Sequence, residues 1–356
     1  MLRARLTAAC HRLGRAAKAA AVALAIAVGG APAAMGAAAP VALGAAAPAL
    51  PALPAQPALP AGAVHIDDSG QRLRLAAVPQ RVISLAPSLT ELVYAVGAGH
   101  TLVGTIGGSD HPAAARALPL VGDHQRLDIE RVLTLRPDLV LVWLGGNSQR
   151  ELAQIEAAGI ALFRLEPRRL EDIPRAIERV GILLGHGAEG QRLAAAQRTT
   201  LGALRARHAH VAPLRVFYQA WEQPLMTLGG PQIVTDMIAL CGGVNIFEQL
   251  PLRVPTVSVE SVIAANPDVL LTAGRLGVPG LPAPGEGAAA ARHARTPDAA
   301  VFRRWRAFHD LTAVRRGWLY TISGDEISRP GPRAIEGATA VCAALDEVRR
   351  ERMGGR

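Results

Sequence analysis

The chain has 356 residues, enough for two domains with hydrophobic cores of their own, and a formal net charge of +9. Five of its cations, Arg3, Arg5, Arg12, Arg15 and Lys18, lie in an N-terminal segment without acidic residues, and beyond them 33 basic residues face 29 acidic ones. So small and scattered an excess argues against a nucleic-acid-binding protein.

The N-terminal segment, residues 1–36, has the parts of a signal peptide: a cationic start, an apolar core at 19–28 and small-residue cleavage sites such as 31–33. The mature protein is therefore predicted to be exported. Cys10 precedes the apolar core, which disfavours a lipoprotein. Residues 37–64 are rich in Ala and Pro without a repeating period, and they predict a disordered tether.

Two stretches of the remaining chain, residues 128–143 and 258–273, repeat one pattern. Each begins with a polar residue that can cap a helix, continues through a short amphipathic helix to a proline and an aspartate, and ends in an apolar run. Proline ends a helix, and a continuous apolar run after it is typical of a strand covered on both faces of a parallel sheet. Residues 90–97 and 235–242 form a second matching pair, predicted to be capped helices that end in glycine.

This duplication predicts an α/β fold of two similar Rossmann-like lobes with the ligand cleft between them. The N-terminal lobe is predicted at 65–169 and the C-terminal lobe at 211–350. The segment between them, 170–210, has helical spacing, and a helix over its latter part, 188–208, would form a rigid spine about 30 Å long. Residues 275–295 are an aperiodic Gly/Pro/Ala-rich insertion, predicted to be a surface loop.

Few residues carry a signal for ligand binding. Trp143 and Trp221 stand where a predicted strand becomes a loop, a good position for stacking on a flat ligand. Asp325 and Arg329 offer a carboxylate and a guanidinium four residues apart, which either bind amide groups of a ligand or form a salt bridge within the loop. His111 and His124 are either ordinary polar loop residues or an axial ligand to a metal that a macrocycle already holds.

The two cysteines of the predicted mature chain, Cys241 and Cys342, allow a disulfide that closes a loop of about 100 residues, or two buried free thiols. Two thiols without clustered histidines do not predict a protein-held metal site. No nucleophile elbow, zinc-protease motif or Walker sequence is present, and the chain is predicted not to be an enzyme.

Several runs together resemble the periplasmic solute-binding proteins of ABC importers, and among them the cobalamin-binding family. The runs generic to the wider iron-siderophore, haem and cobalamin superfamily are 81–91 and 136–140. Those that point more narrowly to cobalamin are Trp143-Leu-Gly-Gly-Asn147, Cys241-Gly-Gly-Val-Asn-Ile-Phe247 and the Asp325 to Arg329 spacing. The resemblance covers about Arg81 to Glu347.

The resemblance implies a monomeric periplasmic receptor that binds cobalamin and delivers it to an inner-membrane permease dimer. It implies that Glu130 and Glu260 dock onto the permease and that Cys241 and Cys342 form a disulfide. The ligand-binding residues that it implies, together with those expected from their position, are Gly108, His124, Trp143, Trp221, Asp325 and Arg329.

The chain departs from the cobalamin-binding pattern at three positions. Gly108 stands in place of an aromatic residue in the first loop, and His124 and Val254 replace two tryptophans of the cleft. A haem or ferric-siderophore ligand is therefore the alternative, with His124 as the axial ligand to cobalt or iron. An enzyme subunit on a related two-lobed scaffold is the alternative from another class.

Overall fold

The computed structural model of the protein describes residues 64–230, 232–274 and 293–354, which all lie within one compact unit, residues 55–356. The predicted signal peptide, nearly all of the predicted tether and most of the predicted insertion lie outside the described residues. Within the described residues, no helix is both long and apolar enough to cross a membrane.

The first lobe is built on a four-stranded, wholly parallel sheet in the order β4-β3-β5-β6, with a small antiparallel pair, β1 and β2, beside it. Its elements are β1 (Val64–Ile66), β2 (Arg72–Arg74), β3 (Val82–Ser84), α1 (Pro87–Ala95), β4 (Leu102–Thr105), α2 (Ile129–Thr134), β5 (Leu139–Trp143), α3 (Gln149–Ala157), β6 (Ala161–Leu165) and α4 (Asp172–Leu183).

The connection between the lobes is α5 (Gly187–His208), whose 22 residues span about 33 Å. The helical spacing that begins near Leu170 does not produce one helix. Gly185 adopts φ +77° and turns the chain, so that α4 and α5 pack side by side as a hairpin. The close approach of α4 and α5 requires glycine at position 190 in α5, because a Cβ on Gly190 would lie 3.0 Å from the carbonyl oxygen of Ile177 in α4.

The second lobe has a five-stranded sheet in the order β10-β11-β9-β7-β8, parallel except for the edge strand β10. Its elements are β7 (Leu214–Gln219), α6 (Ile233–Leu240), β8 (Gly243–Asn245), α7 (Val259–Ala265), β9 (Val269–Gly274), β10 (His293–Arg295), α8 (Thr312–Arg316), β11 (Leu319–Ser323), α9 (Gly324–Ser328) and α10 (Ala334–Gly354). Residues 293–295, predicted to be loop, thus form a short strand at the sheet edge.

The predicted fold of two α/β lobes joined by a long helix is confirmed, and the repeat has a structural cause. Asp128 and Ser258 cap α2 and α7 by accepting hydrogen bonds from the backbone N–H groups of Arg131 and Ser261. The residue before each proline, Arg136 or Asn266, takes positive φ and redirects the chain from the helix towards the following strand. The helix, turn and following strand therefore recur in both lobes.

The aspartate that follows each proline has the same task in both lobes. Asp138 accepts hydrogen bonds from the backbone of Gln80 and Arg81, just before β3. Asp268 accepts one at 2.9 Å from the backbone N–H of Arg215, in β7. Each carboxylate thus ties the start of the strand that follows it, β5 or β9, to the start of the neighbouring strand, β3 or β7.

The predicted caps of the other helix pair are wrong. Helices α1 and α6 begin before Thr90 and Thr235, and neither has a side-chain cap. Pro87 occupies the first turn of α1, where its missing N–H removes one group that would need a cap. The Thr90 hydroxyl instead points inward and joins a buried hydroxyl network with Ser84 and Thr105. The predicted glycine ends are confirmed, since Gly97 and Gly242 both take positive φ.

A continuous apolar core holds the two lobes together. It includes Leu92 of α1, Ile177 of α4 and Leu201 of α5 in the same cluster as Val216 of β7 and Val341 of α10. The opposite faces of the two sheets have separate clusters of their own. Because the lobes share an apolar core, hinge motion between them would expose apolar surface to water.

Candidate functional site

The carboxyl edges of the two parallel sheets carry the loops that meet between the lobes, which is where open α/β sheets bind ligands. Two ion-paired bridges cross from lobe to lobe there. One joins helix α1 and the loop after β4 to the segment after β11. The other joins the end of β6 to the loop after β8. The strand orders place β5 of the first lobe, and β7 and β9 of the second, between the bridges. We call this region the cleft.

The first bridge is a cluster of five charged side chains, Glu91, Asp110, Asp325, Arg329 and Arg333, which we call the interlobe cluster. Arg333 donates to Glu91 from Nε at 2.8 Å and from Nη2 at 2.6 Å. Arg329 donates from Nη1 to Glu91 at 3.0 Å and to Asp110 at 2.9 Å, and its Nη2 lies 2.9 Å from Asp325. The predicted pair Asp325 and Arg329 therefore does form a salt bridge, within a larger network that links the lobes.

Burial makes this cluster different from surface ion pairs. The Glu91 side chain is only 2% exposed, and its neighbour Ser88 packs against Gly331 of the second lobe. Burial alone would raise the pKa of the Asp110 carboxyl, but the hydrogen bond and charge of Arg329 outweigh it and lower the pKa below its ordinary value. For Arg329, burial lowers the pKa, while Asp110 and Glu91 raise it to a net increase. Both groups are therefore held in their charged forms.

The second bridge pairs Glu166 with Arg253 at 2.7 Å. The Glu166 side chain is 9% exposed and also binds Arg168 at 2.8 Å. Burial alone would raise the pKa of the Glu166 carboxyl, but hydrogen bonds from Arg168 and Arg253 lower it overall. Gly145 lets the pair approach, because a Cβ there would lie 2.7 Å from Glu166 Oε1 and 3.0 Å from Arg253 Nη1.

Trp143, the last residue of β5, is 36% exposed. Its ring lies on Gly146, where a Cβ would come within 2.1 Å of the ring atom Cε3. Asn147 fixes the loop by accepting from the Trp143 backbone N–H at 2.8 Å and donating to the Leu85 carbonyl at 3.0 Å. The Trp-Leu-Gly-Gly-Asn run is thus a turn that holds an exposed indole at the sheet edge.

The second lobe offers Trp221, 55% exposed, just after β7. It borders a cavity of about 1240 Å³ at the carboxyl ends of β7, β9 and β11. Gln219, Thr272 and Thr321 line the cavity at the strand ends, and the segment Thr296–Val301 lines it on another side. Of the predicted ligand-binding residues, only Trp221 lines this cavity.

Two further predicted ligand-binding residues, Gly108 and His124, and the candidate axial ligand His111 lie in loops of the first lobe. Gly108 is exposed with φ +86°, and a Cβ there would touch only Pro87. His124 is exposed in a turn that the Asp123 side chain stabilises by accepting from the N–H groups of Gln125 and Arg126. The surrounding protein lowers the pKa of His111 by desolvation, and the charge of Arg333 adds to this effect. His111 directly follows Asp110 in the chain and so borders the interlobe cluster.

The two predicted docking residues, Glu130 and Glu260, are exposed in the first turns of α2 and α7. They occupy equivalent positions, each two residues after its capping residue. Hydrogen bonds from its own backbone and from Ser258 lower the pKa of Glu260. The two lobes thus present the same charge on matching helices.

The predicted disulfide between Cys241 and Cys342 is confirmed, and it ties α6 to α10. In the same run, the Asn245 amide donates to the Leu228 carbonyl at 2.8 Å, and Phe247 packs edge-on against Phe217. The Cys-Gly-Gly-Val-Asn-Ile-Phe run is therefore structural in this lobe.

Sequence analysis missed Glu91, Asp110, Arg333, Glu166 and Arg253. Glu91 lies inside a run that was noted for its helix start, and nothing local distinguishes its carboxylate from a surface one. Only the tertiary fold brings it to arginines 238 and 242 residues away. In the described part of the chain, no group of three or more His, Cys, Asp or Glu side chains could hold a metal ion.

Comparison with known proteins accords with this architecture. A family model described as periplasmic binding protein matches residues 82–326. The vitamin B12-binding protein of Vibrio cholerae serotype O1 (strain ATCC 39541) is 34% identical over 272 residues, 76% of this chain and 91% of the relative.

Two solved structures show the same likeness. The crystal structure of the periplasmic vitamin B12-binding protein of Vibrio cholerae matches with a TM-score of 0.66 and 33% identity, over 76% of this chain and 98% of that one. The apo periplasmic heme-binding protein of Roseiflexus sp. RS-1 matches with a TM-score of 0.62 and 26% identity, over the same shares. The expected resemblance to vitamin B12-binding proteins is confirmed, and the chain belongs to the periplasmic binding protein family.

Proposed function

We propose that this protein is an exported, monomeric receptor that binds a corrinoid, cobalamin, in the cleft and delivers it to an inner-membrane ABC importer. Its role is binding and delivery without catalysis, and its place of action is the periplasm. Gly108, His124, Asp325 and Arg329 belong to this ligand site together with Trp143 and Trp221.

The observation that carries the proposal is the pair of exposed tryptophans, one at the carboxyl edge of each sheet. Large aromatic side chains are usually well buried, so two exposed indoles at the edge where such sheets bind ligands indicate contact surfaces for a ligand. Their flat faces suit the macrocycle of a corrinoid or a porphyrin. Two relatives that this chain matches over almost their full length, at 34% and 33% identity, are vitamin B12-binding proteins, which favours a corrinoid over a porphyrin.

Haem is the second candidate, because a heme-binding protein is among the structural relatives and His124 stands exposed in a first-lobe loop. A neutral imidazole can serve as an axial ligand to haem iron or to the cobalt of a corrinoid. A ferric siderophore needs no such ligand from the protein.

The ligand is tested by spectral titration of the purified protein with cyanocobalamin and, separately, with hemin. We expect saturable cyanocobalamin binding at micromolar or tighter affinity, weakened by Trp143→Ala and by Trp221→Ala. The variant His124→Ala tests whether His124 is the axial ligand to the bound cobalt or iron. Tight hemin binding with a Soret shift that is lost in His124→Ala, without cyanocobalamin binding, would make the protein a haem carrier instead.

Delivery is assigned to Glu130 and Glu260, since a two-fold symmetric permease would require one matching carboxylate from each lobe. The double variant Glu130→Arg/Glu260→Arg is expected to bind ligand normally but to abolish transport in vesicles that contain the reconstituted importer. Glu189→Arg, on α5 and outside both docking helices, is the control and should transport normally. Normal transport by the double variant would refute this docking role.

A further inference from the structure

We propose that Glu91, Arg329 and Arg333 are positioning residues that fix the width of the cleft by holding the lobes in one register. They act through the protein, whatever further contact Arg329 makes with a ligand. The inference deepens the proposed function, but it concerns the free protein and can be tested without any ligand.

The first support is that the charges of the interlobe cluster are satisfied by one another, through side chains of the protein alone. Arg333 makes two hydrogen bonds to one carboxylate, the geometry that gives ion pairs both strength and direction. Arg329 has both terminal nitrogens on carboxylates. A change in the angle between the lobes would separate these partners.

The second support is the cost of breaking the cluster. Removing one partner of a buried ion pair leaves an uncompensated charge, which is more destabilising than losing an exposed pair. The Glu91 carboxylate is almost fully buried, and the side chains of Arg333 and Arg329 are only 15% and 20% exposed. In the register of the structure these groups have given up much of their hydration, and their ion pairs with one another offset that loss.

The third support is location. The interlobe cluster lies at the β3–β4 side of the first sheet, and the Glu166–Arg253 bridge lies past β6, at the opposite end. Trp143 ends β5, between the two. Bridges on both flanks restrain twisting of one lobe against the other, which a single bridge would permit. The interlobe cluster, with three carboxylates and two guanidinium groups, is the larger restraint.

The consequence for binding is preorganisation. When only a fraction of the free protein has the competent cleft width, the apparent affinity falls by that fraction. If loss of the Glu91 charge reduces the competent population to about a tenth, affinity falls about tenfold.

The test measures the distance between spin labels on the two lobes. Labels are attached at Leu133→Cys on α2 and Ile263→Cys on α7, two exposed positions, in a Cys10→Ser background. We expect one narrow distance distribution for the ligand-free protein and a broadened or bimodal one for Glu91→Gln. Glu178→Gln is the matched control. Like Glu91, Glu178 accepts two hydrogen bonds from one arginine, here Arg198, but this pair lies within the α4–α5 hairpin and does not link the lobes. The control variant should leave the distribution narrow.

Should Glu91→Gln not fold, the double variant Glu91→Gln/Arg333→Gln removes both buried charges and keeps hydrogen-bonding side chains of similar shape. A folded variant of either kind with the narrow distribution of the unaltered protein would overturn the proposal, as would equal broadening in Glu178→Gln. The affinity arm uses cyanocobalamin, with an expected tenfold loss. A broadened distribution in a protein that never binds cyanocobalamin would support the positioning role and reject the proposed ligand.

Discussion

Asp110 is the most exposed carboxylate of the interlobe cluster, and its state depends on Arg329. The guanidinium lies 2.9 Å from its Oδ1 and, against the opposing effect of burial, lowers the pKa of Asp110 below the ordinary value of 3.8. A carboxylate with a lowered pKa in the folded state stabilises that state above its unfolded pKa, and loses this contribution as pH falls through the folded value.

The pH dependence of one variant tests this linkage. Asp110→Asn should be less stable than the unaltered protein at pH 6, because it lacks the charge that Arg329 binds. The difference should shrink below pH 3.8 and vanish once Asp110 is protonated in both states. Urea unfolding at several pH values measures it. A difference that stays constant from pH 6 to pH 2.5 would show that the Asp110 charge contributes nothing.

Gly146 determines where the Trp143 indole can lie. In Gly146→Ala the new Cβ would come within 2.1 Å of the ring, so the ring must rotate away. We expect ligand affinity to fall roughly fivefold, the loss of an aromatic contact worth about 1 kcal/mol, with little change in melting temperature. Gly202→Ala on α5 is the control, because its Cβ meets no atom within 4 Å. Unchanged affinity in Gly146→Ala would remove Trp143 from the ligand site.

At the scale of elements, local rules explain why the repeat was predictable from the sequence. A capping side chain, a proline and a buried apolar run each act within a few residues of chain, and α2–β5 and α7–β9 follow them. The predicted side-chain cap of α1 is absent, because Pro87 occupies the first turn and the Thr90 hydroxyl binds Ser84 instead. Residues 170–210 show only helical spacing, and the turn at Gly185 that makes them a hairpin depends on close packing.

The caps of α2 and α7 provide a matched experiment on the helices that carry Glu130 and Glu260. Asp128→Ala and Ser258→Ala each remove a side-chain acceptor from the first turn and should each lower the free energy of unfolding by about 1 kcal/mol. Ser148→Ala, at the N-cap of α3 where the side chain makes no capping bond, should change it little. Equal losses in all three variants, measured by urea unfolding, would contradict the assigned caps.

At the scale of the whole molecule, the sequence predicted two lobes but not how they touch. Fold class follows from periodicity and from the duplicated pattern, which are present in each segment separately. The interlobe cluster depends on side chains more than 200 residues apart, and their charges have no local pattern that distinguishes them from surface residues. Asp325 and Arg329 are only four residues apart and could be predicted as a pair. Glu91 and Asp110 complete the network from the other lobe and could not be predicted.

The disulfide is the one covalent restraint on the second lobe, within the described residues, and it lies on the side of the sheet away from the cleft. Cys241 lies two residues before β8, at the amino edge of the parallel strands, and it is joined to α10 across 101 residues of chain. Its main effect in the chain-entropy model is to restrict the unfolded state.

Replacing both cysteines separates stability from binding. Cys241→Ser/Cys342→Ser should lower the free energy of unfolding by about 4.7 kcal/mol, the loop-closure contribution for a loop of about 100 residues. Arg349 still donates to the carbonyls of Cys241 and Gly242, at 2.7 and 2.9 Å, so the native turn is expected to persist. Cyanocobalamin affinity should then be unchanged, because the cleft lies at the opposite edge of the sheet. A large loss of affinity in the folded double variant would mean that the amino edge of the second lobe controls the cleft, and that the interlobe bridges do not hold it alone.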